Sequence, residues 1–131
     1  MGHFISGMIV GFIILQTAVL APTIFKTLEM PAAGALLRAL FPKFFVLIAL
    51  LGAGLLTAVV MESKPTTTAL SIGITSLVSP LICRLMIPAT NRARDAGNER
   101  RFKYLHMLSV SLTLLVLFGN LALLFSGLTE T

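Results

Sequence analysis

Residues 87–120 read IPATNRARDAGNERRFKYLHMLSVSLTLLVLFGN, and the rest of the chain can be interpreted outward from them. The first half of this stretch is the most basic part of the chain, and the second half is apolar and long enough to cross a bilayer as a helix. Basic residues beside an apolar helix of this length are typical of an integral membrane protein, because Lys and Arg lie favourably among lipid headgroups.

The composition of the whole chain supports a membrane location. Of its 131 residues, 56% are hydrophobic and 11% are charged, whereas a soluble domain has about 25% charged residues. A soluble protein this small could not bury so much apolar surface. We therefore predict a single integral membrane domain over residues 1–131 with the lipid bilayer as its partner. Nucleic acid is not a predicted partner, because the cations flank apolar runs and do not alternate with aromatic residues.

Four apolar runs predict an all-α bundle of four transmembrane helices. The first run has no Lys or Arg before it and is too long for a cleaved signal peptide, so we interpret it as a retained span. The lone Cys83 excludes an internal disulfide and a cysteine-rich metal site. We place the spans at about residues 4–25, 44–61, 66–87 and 104–127, and a short tail at residues 128–131.

The connection between the first two spans predicts a short interfacial helix. Pro31 suits a first helical turn, Glu29 suits the positive helix N-terminus, and Arg38 follows on an otherwise apolar segment. Pro42 is expected to kink or break the junction with the second span. Small residues spaced by four, such as Gly7 with Gly11, permit close helix contacts.

The distribution of Lys and Arg predicts the orientation. The first connection and the third, residues 88–103, are strongly basic, whereas the second carries only Lys64. By the positive-inside rule, the basic connections face the cytoplasm and both termini lie outside, in a bacterial-type plasma membrane. We also expect anionic lipid headgroups to bind at the basic connections.

Polar residues of the fourth span fall on one helical face. His106, Ser109, Thr113 and Asn120 lie within a narrow sector at 100° per residue. Such groups avoid lipid, so we expect this stripe to face the bundle interior. Interhelical hydrogen bonding is one interpretation, and a ligand, metal or proton site around His106 is the other. His106 is the only candidate metal ligand in this region, and the residues single out no cofactor.

Charged and polar residues gather near His106 at the predicted inner boundary. They form the hypothetical ligand-binding site Glu29, Arg38, Asn91, Arg94, Asp95, His106, Ser109 and Asn120. One interpretation is structural, with Asn91 or Asp95 capping a short helix and Glu29 balancing Arg38. The other is a site at which cations and a histidine hold an anionic headgroup, a phosphate or a carboxylate.

Three segments carry a family resemblance: PAAGALLRALFPKFF (31–45), IPATNRARD (87–95) and FKYLHMLSVSLTLLVLFGN (102–120). In this order they resemble the transmembrane-protein-205-like domain, which implies a small four-helix membrane protein of poorly defined activity. The Ile-Pro-x-x-Asn stretch is more weakly similar to anthrone-oxygenase-like membrane domains. The matching positions are Gly34, Arg38, Phe41, Pro42, Pro88, Asn91, Arg94, Asp95, Phe102, His106, Ser109 and Asn120.

Three functions remain open at this point. The leading hypothesis is a non-catalytic membrane protein that binds a small amphiphile or metal, or serves as an accessory subunit of a larger complex. The second is a haem- or quinone-linked membrane oxidoreductase that uses His106 as ligand or proton donor; the anthrone-oxygenase-like similarity implies an oxidoreductase without supplying its mechanism. The third is a small-solute transporter, for which a chain of four spans would have to form a homo-oligomer.

Overall fold

The structure, a computed structural model, describes residues 1–129, so Glu130 and Thr131 of the predicted tail lie outside the described residues. The helices are α1 (Gly2–Ile14), a π-helical segment (Leu15–Leu20), α2 (Ala21–Thr27), α3 (Met30–Val60), α4 (Thr67–Asp95) and α5 (Glu99–Thr129). The first three are continuous along Gly2–Thr27. No strand occurs among residues 1–129, and the all-α prediction is confirmed.

Four helices are long and apolar enough to cross a membrane, namely Gly2–Thr27, α3, α4 and α5. The chain is therefore an integral membrane protein. The helices form a ring in which α1 packs on α3 and α5, and α4 packs on the same two helices. The central core contains Ile9 and Ile13 of α1, Phe45 and Ile48 of α3, and Val116 of α5.

The tightest helix contact joins α3 to α4. Pro80 has no N–H group, so the carbonyl of Ser76, one turn earlier, lacks its helical donor. The Ser76 carbonyl instead lies against Gly52 of α3, so closely that a Cβ at Gly52 would overlap it. A glycine is therefore required at position 52, because a side chain there would prevent the close approach of the two backbones.

The predicted interfacial helix is not a separate element. Residues 30–60 form one helix that passes through Pro42 without ending. Pro31 occupies the first turn and Glu29 is the N-cap residue, as their positions in the sequence indicated. The first 14 residues of α3 are thus a continuous extension of the second span.

The third connection is shorter than the sequence predicted. The loop expected at residues 88–103 is helical up to Asp95, because α4 continues through Pro88. Only Ala96, Gly97 and Asn98 separate α4 from α5. Gly97 has a φ of +72°, a value that favours glycine. The Asn98 side chain then accepts a hydrogen bond from the Arg101 N–H and caps α5.

The first span widens in its second half. The π-helical segment lies just before Pro22, and Thr17 within it donates a hydrogen bond to the carbonyl of Ile13 at 2.8 Å. Gln16 is the buried residue of this segment, and its Nε2 has no hydrogen-bond partner among the described residues. π-Helical turns inside α-helices occur frequently at functional sites.

Contacts between the helices define two ends of the bundle. Glu62, after α3, lies near Gly2, and the imidazole of His3 lies against Gly127 of α5. We call this the Lys64 end. At the opposite end, which we call the basic end, an ion pair joins Arg38 to Asp95.

Candidate functional site

The basic end is held together by an ion pair between α3 and α4. The two terminal nitrogens of Arg38 donate to the two carboxylate oxygens of Asp95, at 2.5 and 3.2 Å. This two-point geometry is the most directional that a guanidinium and a carboxylate can adopt. The side chains of Arg38 and Asp95 are 40% and 61% exposed, so the pair orients the helix ends more than it stabilises the fold.

A second cluster joins α4 to α5 next to the ion pair. The guanidinium of Arg94 lies 4.9 Å from the centre of the Phe102 ring, which is a cation–π distance. The His106 ring stacks on Phe102 with centroids 5.7 Å apart and an interplanar angle of 7°. The Phe102 ring is therefore in contact with both the Arg94 guanidinium and the His106 imidazole. We call these three residues the stack. Since Asp95 follows Arg94 directly, α4 connects this stack to Arg38.

The structural interpretation, in which Glu29 balances Arg38 and Asn91 caps a short helix, is wrong at both residues. Arg38 pairs with Asp95 and not with Glu29, which is exposed at the start of α3. Asn91 is half-buried within α4, and the residue that caps a helix here is Asn98. The helical path of α4 through Pro88 explains both differences, because it carries Asp95 to Arg38 and leaves Asn91 inside the helix.

The polar stripe of α5 divides into three environments. His106 is exposed beside Phe102, and Ser109 and Thr113 are half-buried. The carbonyl of Ser109 accepts hydrogen bonds from Thr113 Oγ1 at 2.8 Å and from the Cys83 thiol at 3.7 Å. Asn120 is fully buried. The stripe therefore turns into the bundle as it leaves the basic end, and His106 is its outermost member.

Asn120 belongs to a separate polar pair deep in the bundle. Its Nδ2 donates to Ser76 Oγ of α4 and to the carbonyl of Val116, both at 2.8 Å. Its Oδ1 is buried without a hydrogen-bond partner among the described residues. Asn120 is 14 positions after His106, so it lies about 21 Å along α5 from it at 1.5 Å per residue. The structure thus separates Asn120 from the cluster at the basic end.

Two residues that matter here were not in the predicted site. Phe102 brings Arg94 and His106 together, and its spacing of four from His106 was the available signal. Ser76 is the partner of Asn120. The sequence shows Ser76 only as a small polar residue on one face of the third span, and it does not indicate which helix packs against that face.

Positive charge outweighs negative charge at the basic end. Nine of the ten Lys and Arg residues lie in this half of the bundle, against the three carboxylates of Glu29, Asp95 and Glu99. Arg38–Asp95 is the one ion pair recorded among residues 1–129. Over the same part of the chain, no three His, Cys, Asp or Glu side chains are grouped so that they could hold a metal ion.

Comparison with known families places the chain among uncharacterised domains. A family model described as a domain of unknown function, DUF4149, matches residues 4–99. The chain belongs to this family. The DUF4149 match covers α1 to α4, including Arg38, Asn91, Arg94 and Asp95, and ends at the first residue of α5. No curated protein and no solved structure matches the chain significantly.

Proposed function

We propose that this DUF4149 protein is a non-catalytic membrane protein that binds an anionic amphiphile at its basic end. The observation that carries the proposal is the arrangement of Arg94, Phe102 and His106 beside the Arg38–Asp95 pair. A phosphate or carboxylate headgroup would find charge-assisted donors there. Its apolar chain would lie along exposed apolar residues of the same half of the bundle, such as Phe25, Met30 and Leu36.

The proposal includes an orientation and a family likeness. We propose that the basic end faces the cytoplasm of a bacterial-type cell, with both termini outside the plasma membrane. We also propose that the likeness to the transmembrane-protein-205-like domain reflects kinship, since two of its three segments fall within the DUF4149 match and contribute Arg38 and Asp95.

The test compares two short-chain phospholipids of equal chain length, phosphatidylglycerol and phosphatidylcholine, by isothermal titration of the protein in neutral detergent. We expect phosphatidylglycerol to bind more tightly. The variants Arg38→Ala, Arg94→Gln and His106→Ala should each weaken its binding by roughly fivefold or more, the equivalent of about 1 kcal/mol.

Lys64→Gln is the matched control, because it removes one positive charge at the other end of the bundle. If Lys64→Gln weakens phosphatidylglycerol binding as much as Arg94→Gln does, binding depends only on net charge and the site is wrong. Binding that is insensitive to Arg38→Ala and His106→Ala would also overturn the site.

The oxidoreductase alternative is tested on the same preparation by a visible spectrum and metal analysis. A Soret band, or stoichiometric iron or copper that is lost in His106→Ala, would replace the amphiphile proposal with a redox function. A colourless protein that binds phosphatidylglycerol would retain the proposal.

A further inference from the structure

The carboxylate of Asp95 occupies the Arg38 guanidinium in the way that an anionic headgroup would. Nη1 and Nη2 of Arg38 each donate to one carboxylate oxygen of Asp95, at 3.2 and 2.5 Å. A phosphodiester presents two unesterified oxygens, and a guanidinium binds them with the same two-point geometry. An anionic headgroup and Asp95 therefore compete for the same N–H groups of Arg38.

The guanidinium of Arg94 is not engaged in this way. Arg94 is exposed and lies over the Phe102 ring, and it forms no recorded ion pair within residues 1–129. Its positive charge also attracts the Asp95 carboxylate, its neighbour in the sequence. Asp95 thus lies in the field of two guanidiniums, one of which it binds. An anion that replaces Asp95 at Arg38 meets the same two positive charges.

The ion pair is exposed enough for such a replacement. The side chains of Arg38 and Asp95 are 40% and 61% exposed. Ion pairs between exposed side chains contribute little net free energy, because water solvates both partners when they separate. Breaking this pair leaves no buried charge uncompensated, which is what makes the loss of a buried partner unfavourable. Displacing Asp95 therefore lowers the affinity for a headgroup by no more than about fivefold.

We propose that Asp95 is an internal competitor for the headgroup site. Its carboxylate holds Arg38 in the free protein, and an anionic headgroup displaces it and binds the guanidinium in its place. This inference rests on the proposed function and identifies the residue that limits the affinity of the same site. Because Arg38 belongs to α3 and Asp95 to α4, displacement also removes the ion pair that joins these helices at the basic end.

The test is isothermal titration of the full-length protein with short-chain phosphatidylglycerol in neutral detergent at one ionic strength. Asp95→Asn removes the competing charge and keeps the shape of the side chain, so it should tighten binding by about three- to tenfold. Glu99→Gln is the matched control, because Glu99 is a carboxylate of the same end that forms no recorded ion pair within residues 1–129. It should change the affinity by less than about twofold. In an Arg38→Ala background, Asp95→Asn should lose most of its gain, because no guanidinium remains to be released.

An Asp95→Asn protein that binds phosphatidylglycerol no more tightly than Glu99→Gln does would overturn the inference. A gain that persists in full in the Arg38→Ala background would also overturn it, because the gain would then come from net charge alone. Failure of the proposed function looks different. The wild type would then bind phosphatidylglycerol no more tightly than phosphatidylcholine, Arg94→Gln would change nothing, and the competition by Asp95 would be wrong as well.

Discussion

Gly52 is the residue whose identity matters most for packing. A Cβ there would overlap the Ser76 carbonyl, which Pro80 leaves without its helical donor. We expect Gly52→Ala to destabilise the protein by about 1–3 kcal/mol, as overpacked cores do. Thermal unfolding in detergent measures the change.

Gly54→Ala is the control for this prediction, because its Cβ would meet only Ile5 Cδ1 at 3.8 Å, an ordinary contact. Equal unfolding temperatures for Gly52→Ala and Gly54→Ala would contradict the tight contact between α3 and α4.

Asn120 and Ser76 couple α5 to α4 through one buried hydrogen bond of 2.8 Å. A double-mutant cycle of Ser76→Ala and Asn120→Ala should show a coupling energy of about 0.6 kcal/mol and at most about 1.7 kcal/mol, the range found in membrane helices. Unfolding in mixed micelles provides the four free energies. The control cycle of Asn120→Ala with Ser111→Ala should show no coupling energy, since the Ser111 hydroxyl bonds to the Met107 carbonyl within α5. If the free-energy changes of Ser76→Ala and Asn120→Ala simply add in the double mutant, the bond between Asn120 and Ser76 is contradicted.

At the scale of the helices, the turn between α4 and α5 depends on Asn98. Its side chain accepts the Arg101 N–H at 3.1 Å, so Asn98→Ala should cost about 1 kcal/mol in the free energy of unfolding. Asn98→Asp, which keeps an acceptor, should retain most of that stability. Hydrogen exchange at the first turn of α5 locates the effect. A loss in Asn98→Asp as large as that in Asn98→Ala would contradict the capping role of the Asn98 side chain.

The helix extensions also decide the geometry of the basic end. Helix α3 is continuous through Pro42, and helix α4 is continuous through Pro88. Prolines are tolerated inside membrane helices because neighbouring groups satisfy the freed carbonyls. As a consequence Arg38 and Asp95 lie on rigid helices, which accounts for their two-point contact better than a flexible loop would.

At the scale of the whole molecule, the distribution of charge predicts topology. Alkaline phosphatase fused after the C-terminus should be active and a green fluorescent protein there should be dark, because the Lys64 end faces outward in the proposed orientation. Fusions in the turn at Gly97 are the control and should give the opposite pattern. A fluorescent C-terminal fusion would contradict the proposed orientation.

The sequence by itself determined the class of fold, since apolar runs of this length have no other stable form in lipid than a helix. It also identified Arg38, Arg94, Asp95 and His106 as neighbours of one boundary, because charges collect where apolar runs end. The helix ends were less predictable: a kink or break was expected at Pro42 and a loop from Pro88, whereas α3 and α4 continue through these prolines.

Only the tertiary structure decided the pairings. These pairings depend on how the helices are rotated and offset relative to one another. They include Arg38 with Asp95 instead of Glu29, Arg94 and His106 on Phe102, and Asn120 with Ser76. Rotation and offset follow from close contacts such as Gly52 on Ser76, which involve residues distant in sequence. Local periodicity shows which face of a helix is polar, whereas the partner of that face is set by packing between helices.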